Sequence, residues 1–266
     1  MNEQKLVWTI DATCGAVGID ARLEGTIWPL DMPGVKARFS TSPSPLLNLV
    51  GMASFVPDKV DEEIDRVIAQ YRRENKAFSW LVGPTSTPGD LGARLVEHGL
   101  TLVEEERMDG MVLRNLKHRI EVNPRIRIAE VSPEDWRANA EMMAASYGFG
   151  MTPETVRSLA DFHEALSDQA HVYLAYAEDR PDPIAFSGGV IDESGEVMVL
   201  GGAATAPEYR GRGVYSSMVA KRLDDARALG CSMAVVQAVK TTSAPICQQL
   251  GFEKVCEIDL YTWMPQ

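Results

Sequence analysis

The sequence predicts an α/β protein built on a mixed sheet, and three observations carry that expectation. Apolar runs of strand length alternate with amphipathic helical stretches. In the second half these follow the order β-α-α-β-β-β-α-β-α-β. Residues 197–239 read as strand, glycine-rich loop, helix and strand, a β-α-β unit whose return strand should lie parallel to the first.

Residues 125–131 alternate charged and apolar side chains as a strand does, and Ser132-Pro133-Glu134-Asp135 supplies an N-cap, a first-turn proline and early acids. Trp136, Ala140, Met143, Ala144 and Tyr147 then give one apolar helical face. Thr152-Pro153-Glu154 repeats the start signal for a second helix. Residues 172–177, 184–191 and 197–204 are apolar strands parted by Pro181-Asp182-Pro183 and Glu193-Ser194-Gly195. Beyond the loop at 207–213, a helix carries Val214, Met218, Val219, Leu223, Ala226 and Leu229 to a capping Gly230. Residues 232–239 form a buried strand, 243–250 a short helix closed by Gly251, and 253–264 a final extended segment.

The first half is less regular. Val60, Ile64, Val67, Ile68 and Tyr71 mark one helix, and Thr87-Pro88-Gly89-Asp90 opens another carrying Leu91, Leu95 and Val96 to Gly99. Residues 78–83, that second helix and residues 105–113 repeat the strand-helix-strand ending of the second half, which suggests a degenerate internal repeat. The polar, proline-containing segment 115–125 places a boundary near residue 122 and so two units, 1–121 and 122–266.

With 266 residues the chain suffices for one large or two ordinary domains. Lys and Arg total 26 against 38 Asp and Glu, a formal net charge of −12. That balance argues against a nucleic-acid partner, which needs a concentrated basic face. It is compatible with a cationic substrate, but the simpler reading is a protein kept in solution by its charge. Cys14, Cys231, Cys247 and Cys256 form no CxxC pair and have no histidine at metal-ligand spacing, so neither a metal site nor a disulfide framework is expected. The opening residues show no basic patch followed by an apolar core, and no apolar run approaches the ~18 residues of a membrane span. A cytoplasmic monomer or homodimer is expected, with no membrane partner.

The chemistry concentrates in Thr205-Ala206-Pro207-Glu208-Tyr209-Arg210-Gly211-Arg212-Gly213-Val214-Tyr215-Ser216. Gly211 and Gly213 permit a sharp turn with N–H groups pointing inward, and the helix that follows adds its positive dipole end. The result is an anion cradle for a diphosphate, with Arg210 and Arg212 able to add charge-assisted bonds. Glycine spacing alone fits a plain strand-to-helix turn with two solvated arginines as well.

This stretch closely resembles motif A of the GNAT N-acetyltransferase superfamily, whose Arg/Gln-x-x-Gly-x-Gly/Ala pattern follows the fourth strand and holds the coenzyme A pyrophosphate. Arg210, Gly213 and the Pro207-Glu208 lead-in match it, while Tyr215 stands at the pattern's last small residue. The likeness spans about residues 125–264, including the closing Leu250-Gly251-Phe252. It implies a GNAT acyltransferase fold in the second half, and the first half looks like a smaller, degenerate GNAT-like α/β domain lacking the loop. It also implies that Ala203, Ala204 and Thr205 offer backbone groups to the pantetheine arm, that residues 210–216 (Arg210, Gly211, Arg212, Gly213, Val214, Tyr215 and Ser216) take the pyrophosphate, and that a bulge opens the fourth strand near Gly201 and Gly202. Ser243 would either bond the pantetheine arm or cap the last helix.

Where the family often carries a tyrosine that protonates the departing thiolate, this sequence has Cys247. A thiol of ordinary pKa near 8.5 is able to donate that proton; a cysteine packing a short helix is the alternative. Tyr215 and Tyr147 are substitute acids or packing residues. Glu193, Glu196 and His171 are candidate bases among which the sequence does not choose. The implied activity is acyl transfer from acetyl-CoA, or another acyl-CoA, to an amine of a small molecule or protein; the alternative is a non-catalytic CoA-binding protein that keeps the fold.

Overall fold

The computed structural model describes residues 2–13, 18–19 and 22–265. The first half comprises α1 (Glu3–Ala12), β1 (Ile27–Leu30), β2 (Lys36–Ser40), β3 (Leu49–Gly51), α2 (Val60–Arg73), β4 (Phe78–Val82), α3 (Leu91–Glu97), β5 (Thr101–Leu102) and β6 (Met108–Leu113). The second comprises β7 (Ile126–Val131), α4 (Pro133–Ala138), α5 (Ala140–Tyr147), α6 (Pro153–Leu166), β8 (Ala170–Ala177), β9 (Ala185–Ile191), β10 (Val197–Thr205), α7 (Val214–Ala228), β11 (Met233–Val239), α8 (Ser243–Gln249) and β12 (Glu253–Trp263).

The described strands form one mixed sheet in the order β1-β2-β3-β4-β12-β6-β11-β10-β9-β8-β7, with β5 beside β12. The repeat expected from the sequence is visible in its topology. The strands β1-β2-β3 run antiparallel, and β3 returns parallel to β4 through α2. Likewise β8-β9-β10 run antiparallel, and β10 returns parallel to β11 through α7. The two repeats then exchange their last strands: β6 pairs with β11, while β12 pairs with β4 over Asp259–Trp263 and with β6 over Glu253–Ile258. One sheet thus runs through both halves.

The helices cover both faces. Val219, Leu223 and Ala226 of α7 and Cys247 of α8 pack on Met198, Leu200 and Val236. On the opposite face Leu6 and Ile10 of α1 meet Val112, Val199 and Val235, and Trp136, Ala140 and Val156 of α4–α6 meet Val172, Leu174 and Phe186. In the first half, the five apolar residues read from the sequence line the buried stripe of α2, where Tyr71 stacks on Phe78 with ring centroids 4.2 Å apart.

Two element boundaries depart from the sequence reading. The helix expected from Pro133 to Tyr147 is two helices, because Asn139 leaves the helical conformation (φ −107°, ψ 18°) while its amide donates to the Asp135 carbonyl, the local competition that asparagine offers the backbone. The strand expected from Glu105 begins at Met108, since Glu104–Glu106 forms a 3-10 turn. At Ser132 the expected cap is a full capping box with Asp135.

Candidate acyl-CoA site

The parallel pairing of β10 with β11 runs from Val197↔Met233 to Leu200↔Val236 and stops there. Both strands continue: β10 stays with β9 as far as Thr205↔Ala185, and β11 stays with β6 as far as Val239↔Met108. The divergence begins where β10 shifts register against β9 between Gly201 and Ala203, a bulge that leaves Gly202 as the extra residue. A gap therefore opens between residues 201–205 and 237–239. Ala203, Ala204 and Thr205 bond to β9 on one side and present their other edge to this gap.

The loop after β10 starts with a 3-10 turn, Pro207–Tyr209, anchored by the buried Tyr209. Gly211 (φ 73°) and Gly213 (φ 74°) both adopt the left-handed conformation that side chains disfavour, and Gly213 is the N-cap of α7. Among the described residues nothing accepts a hydrogen bond from the backbone N–H of Gly211, Arg212, Gly213, Val214, Tyr215 or Ser216. Six N–H groups without acceptors thus converge at the positive end of a four-turn helix, an arrangement that favours anions.

Three side chains hold the loop in place. Arg210 donates to the Thr205 carbonyl (3.0 Å) and to the Ser146 carbonyl at the end of α5 (3.1 Å), so its guanidinium fastens the loop to the strand rather than lying free in the cradle. Asn123 donates its amide to the Arg212 carbonyl (2.8 Å) and its N–H to Ser217 Oγ (3.1 Å). Ser217 in turn donates to the Gly213 carbonyl (2.9 Å). Arg212 lies over the Tyr209 ring, 4.8 Å from its centroid, at the exposed rim. Asn123 escaped the sequence reading, since nothing in a linker marks a residue that latches a distant loop.

Beneath the cradle, Tyr215 turns into the core and its hydroxyl lies 3.5 Å from Cys247 Sγ. Burial pushes the Cys247 thiol above its ordinary pKa, and burial followed by the neighbouring thiol does the same to Tyr215. Arg222, two turns further along α7, lies beside both and is only 1% exposed. A sequence signal for it exists: it is the one charged residue among Met218, Val219, Leu223 and Ala226. Ser243 is the first residue of α8 rather than its N-cap, and its Oγ accepts from the Val239 N–H (2.8 Å), tying down the end of β11.

The candidate bases scatter. Glu193 and Glu196 lie at the turn before β10, at the closed end of the gap. His171 hydrogen-bonds Glu130 through Nδ1 (2.7 Å) on β8. Tyr147 reaches the gap, its ring 3.9 Å from where a Cβ on Gly202 would stand. Cys231, Cys247 and Cys256 are free thiols, and Cys14 lies outside the described residues. No described helix is long and apolar enough to cross a membrane, and no metal-ligand cluster occurs among the described residues.

Residues 136–252, which contain the gap and the cradle, match the Acetyltransferase (GNAT) family. The fold of the whole chain is found in solved structures. A GCN5-related N-acetyltransferase from Kribbella flavida superposes with a TM-score of 0.64 at 18% identity, over 89% of each chain. One from Sphaerobacter thermophilus gives 0.57 at 17% identity, over 86% of this chain and 76% of that one. A tandem GNAT protein from the clavulanic acid biosynthesis pathway gives 0.54 at 11% identity, over 86% and 78%. No curated protein matches the sequence. The architecture is thus a mixed α/β GNAT fold, shared with a tandem GNAT protein.

Proposed function

We propose that the protein is a cytoplasmic, acyl-CoA-dependent N-acyltransferase, with acetyl-CoA as donor and an amine of a small molecule or protein as acceptor. Carrying this reading is the unpaired gap between β10 and β11, continuous with a loop whose N–H groups lack partners. The N–H groups of Gly211, Arg212, Gly213, Val214, Tyr215 and Ser216 would hold the pyrophosphate, and the gap-side groups of Ala203, Ala204 and Thr205 the pantetheine arm. A bound thioester supplies an acyl carbon open to amine attack. The chain's own part is then to orient that carbonyl on backbone donors, hold out water, and return a proton to the leaving sulfur. We assign the proton to the Tyr215–Cys247 pair. By sequence we retain two units, 1–121 and 122–266.

Calorimetric titration with acetyl-CoA and CoA, beside Gly213→Glu, tests the donor site. Binding by the parent and its loss in the folded variant supports the reading; no binding by either removes it. A second reading, CoA binding without transfer, is favoured by the complete burial of Cys247. Turnover on an amine panel separates the two. Transfer that falls roughly 100-fold in kcat for Tyr215→Phe or Cys247→Ala, with the acetyl-CoA KM held, assigns the acid.

A further inference from the structure

We propose that Arg222 is a positioning residue that keeps the gap between β10 and β11 open by holding the carbonyls of the bulge. The proposal rests on the acyl-CoA reading for its purpose and on geometry for its substance.

A guanidinium buried in an apolar helix stripe normally finds a carboxylate, because an unpaired charge away from water is strongly unfavourable. Among the described residues Arg222 has none. The two acids that follow it on α7 are engaged elsewhere, Asp224 by Arg227 (2.7 Å) and Asp225 by Lys221 (2.6 Å) and the Tyr173 hydroxyl (2.9 Å). Arg222 spends its donors on carbonyls instead: Nε on Met218 (3.3 Å), Nη1 on both Gly188 (3.0 Å) and Gly201 (3.3 Å). Gly188 and Gly201 face each other across β9 and β10 at the last register before the shift. A bulge disrupts the ladder at that point and leaves carbonyls in need of donors. Arg222 supplies them from below the sheet, a reach that no apolar residue there would have.

Without the guanidinium, two buried carbonyls lose a donor. The remedy open to the backbone is to expel the bulge, which lets residues 201–205 pair with 237–239 and closes the gap.

The test uses the intact chain without ligand. Amide hydrogen exchange at residues 202–205 is expected to be fast in the parent and at least ~10-fold slower in Arg222→Leu, as unpaired edges become laddered. The same variant should bind CoA about 30-fold more weakly. Arg222→Lys, which reaches one carbonyl but not both, should fall between the two in both readouts, and it carries the test if the leucine variant does not fold. Parent-like exchange at 202–205 in either folded variant overturns the proposal. If the parent itself binds no CoA, the acyl-CoA reading falls, while the exchange data still decide the role of Arg222.

Discussion

The two repeats share one chassis and differ where it matters for ligand. Each sends a third strand through a 3-10 turn with a Pro-acid pair, Pro57-Asp58 or Pro207-Glu208, into a helix that returns to a parallel strand. From the last paired residue of the third strand to the first helical residue is ten positions in the first repeat, Val50 to Val60, and fourteen in the second, Leu200 to Val214. The difference is Arg210-Gly211-Arg212-Gly213. Where the second repeat splays, the first is stitched: Thr87 donates to the Ala53 carbonyl (2.8 Å), Phe55 donates back to Thr87 (3.2 Å), and Phe55 packs edge-on against Trp80. Ile19 lies across Gly51, so close that an added Cβ would meet it at 2.7 Å. On the proposed reading, a cofactor cleft in this fold is therefore a local choice of loop and bulge laid on a sheet that the first repeat builds without either.

Deleting residues 210–213 should convert the second loop into the form of the first, with CoA affinity falling by more than ~100-fold while the unfolding midpoint moves little; calorimetry and thermal melts report the two quantities. Phe55→Ala tests the stitched side. Loss of a buried aromatic should cost about 3–5 kcal/mol in urea unfolding, with the CoA dissociation constant unchanged, and a weakened affinity would show that the first repeat is more than scaffold.

The covers over the shared face also differ, one helix in the first repeat against three in the second. His163 of α6 is buried, its Nδ1 donating to the Leu159 carbonyl, and burial holds its pKa down to about 4 against an ordinary 6.5. The unfolded chain takes up the proton at the ordinary value, so stability is lost as pH falls through the window from 6.5 to 4, by a total on the order of 3 kcal/mol. His163→Phe should flatten that slope in pH-dependent unfolding. Ser132→Ala, which removes the capping box of α4, should cost about 1 kcal/mol and leave ligand binding intact.

Most of the second half was legible because its punctuation is strong: Ser132-Pro133, Thr152-Pro153 and Gly230 mark real ends. The first half hid α1, β1, β2, β3 and the two-residue β5, and for the first four the reasons are identifiable. β1 contains Pro29, β3 has three residues, and β2 buries Arg38 and Ser40 beside Phe39, which erases any alternation. In α1, Thr9 and Asp11 are buried while Trp8 is 48% exposed, so polarity misreports its inner face. In the site, the loop was readable from its glycines. The Arg210 fastening, the Asn123 latch and the Arg222 contacts were not, since each joins residues brought together only by the fold.

The exchange of β6 and β12 makes the order of synthesis matter. Phe78 pairs with Trp263, and β4, already flanked by β3 on one side, lacks its other neighbour until residues 253–263 have been made. A nascent first half must wait on the ribosome with that edge bare, exposed to other chains, for as long as the remaining residues take to emerge. Contacts spanning so much sequence also slow folding. Cleavage after Gly251 would cut β12 off from its own repeat while leaving it the strand that joins β4 to β6 in the other.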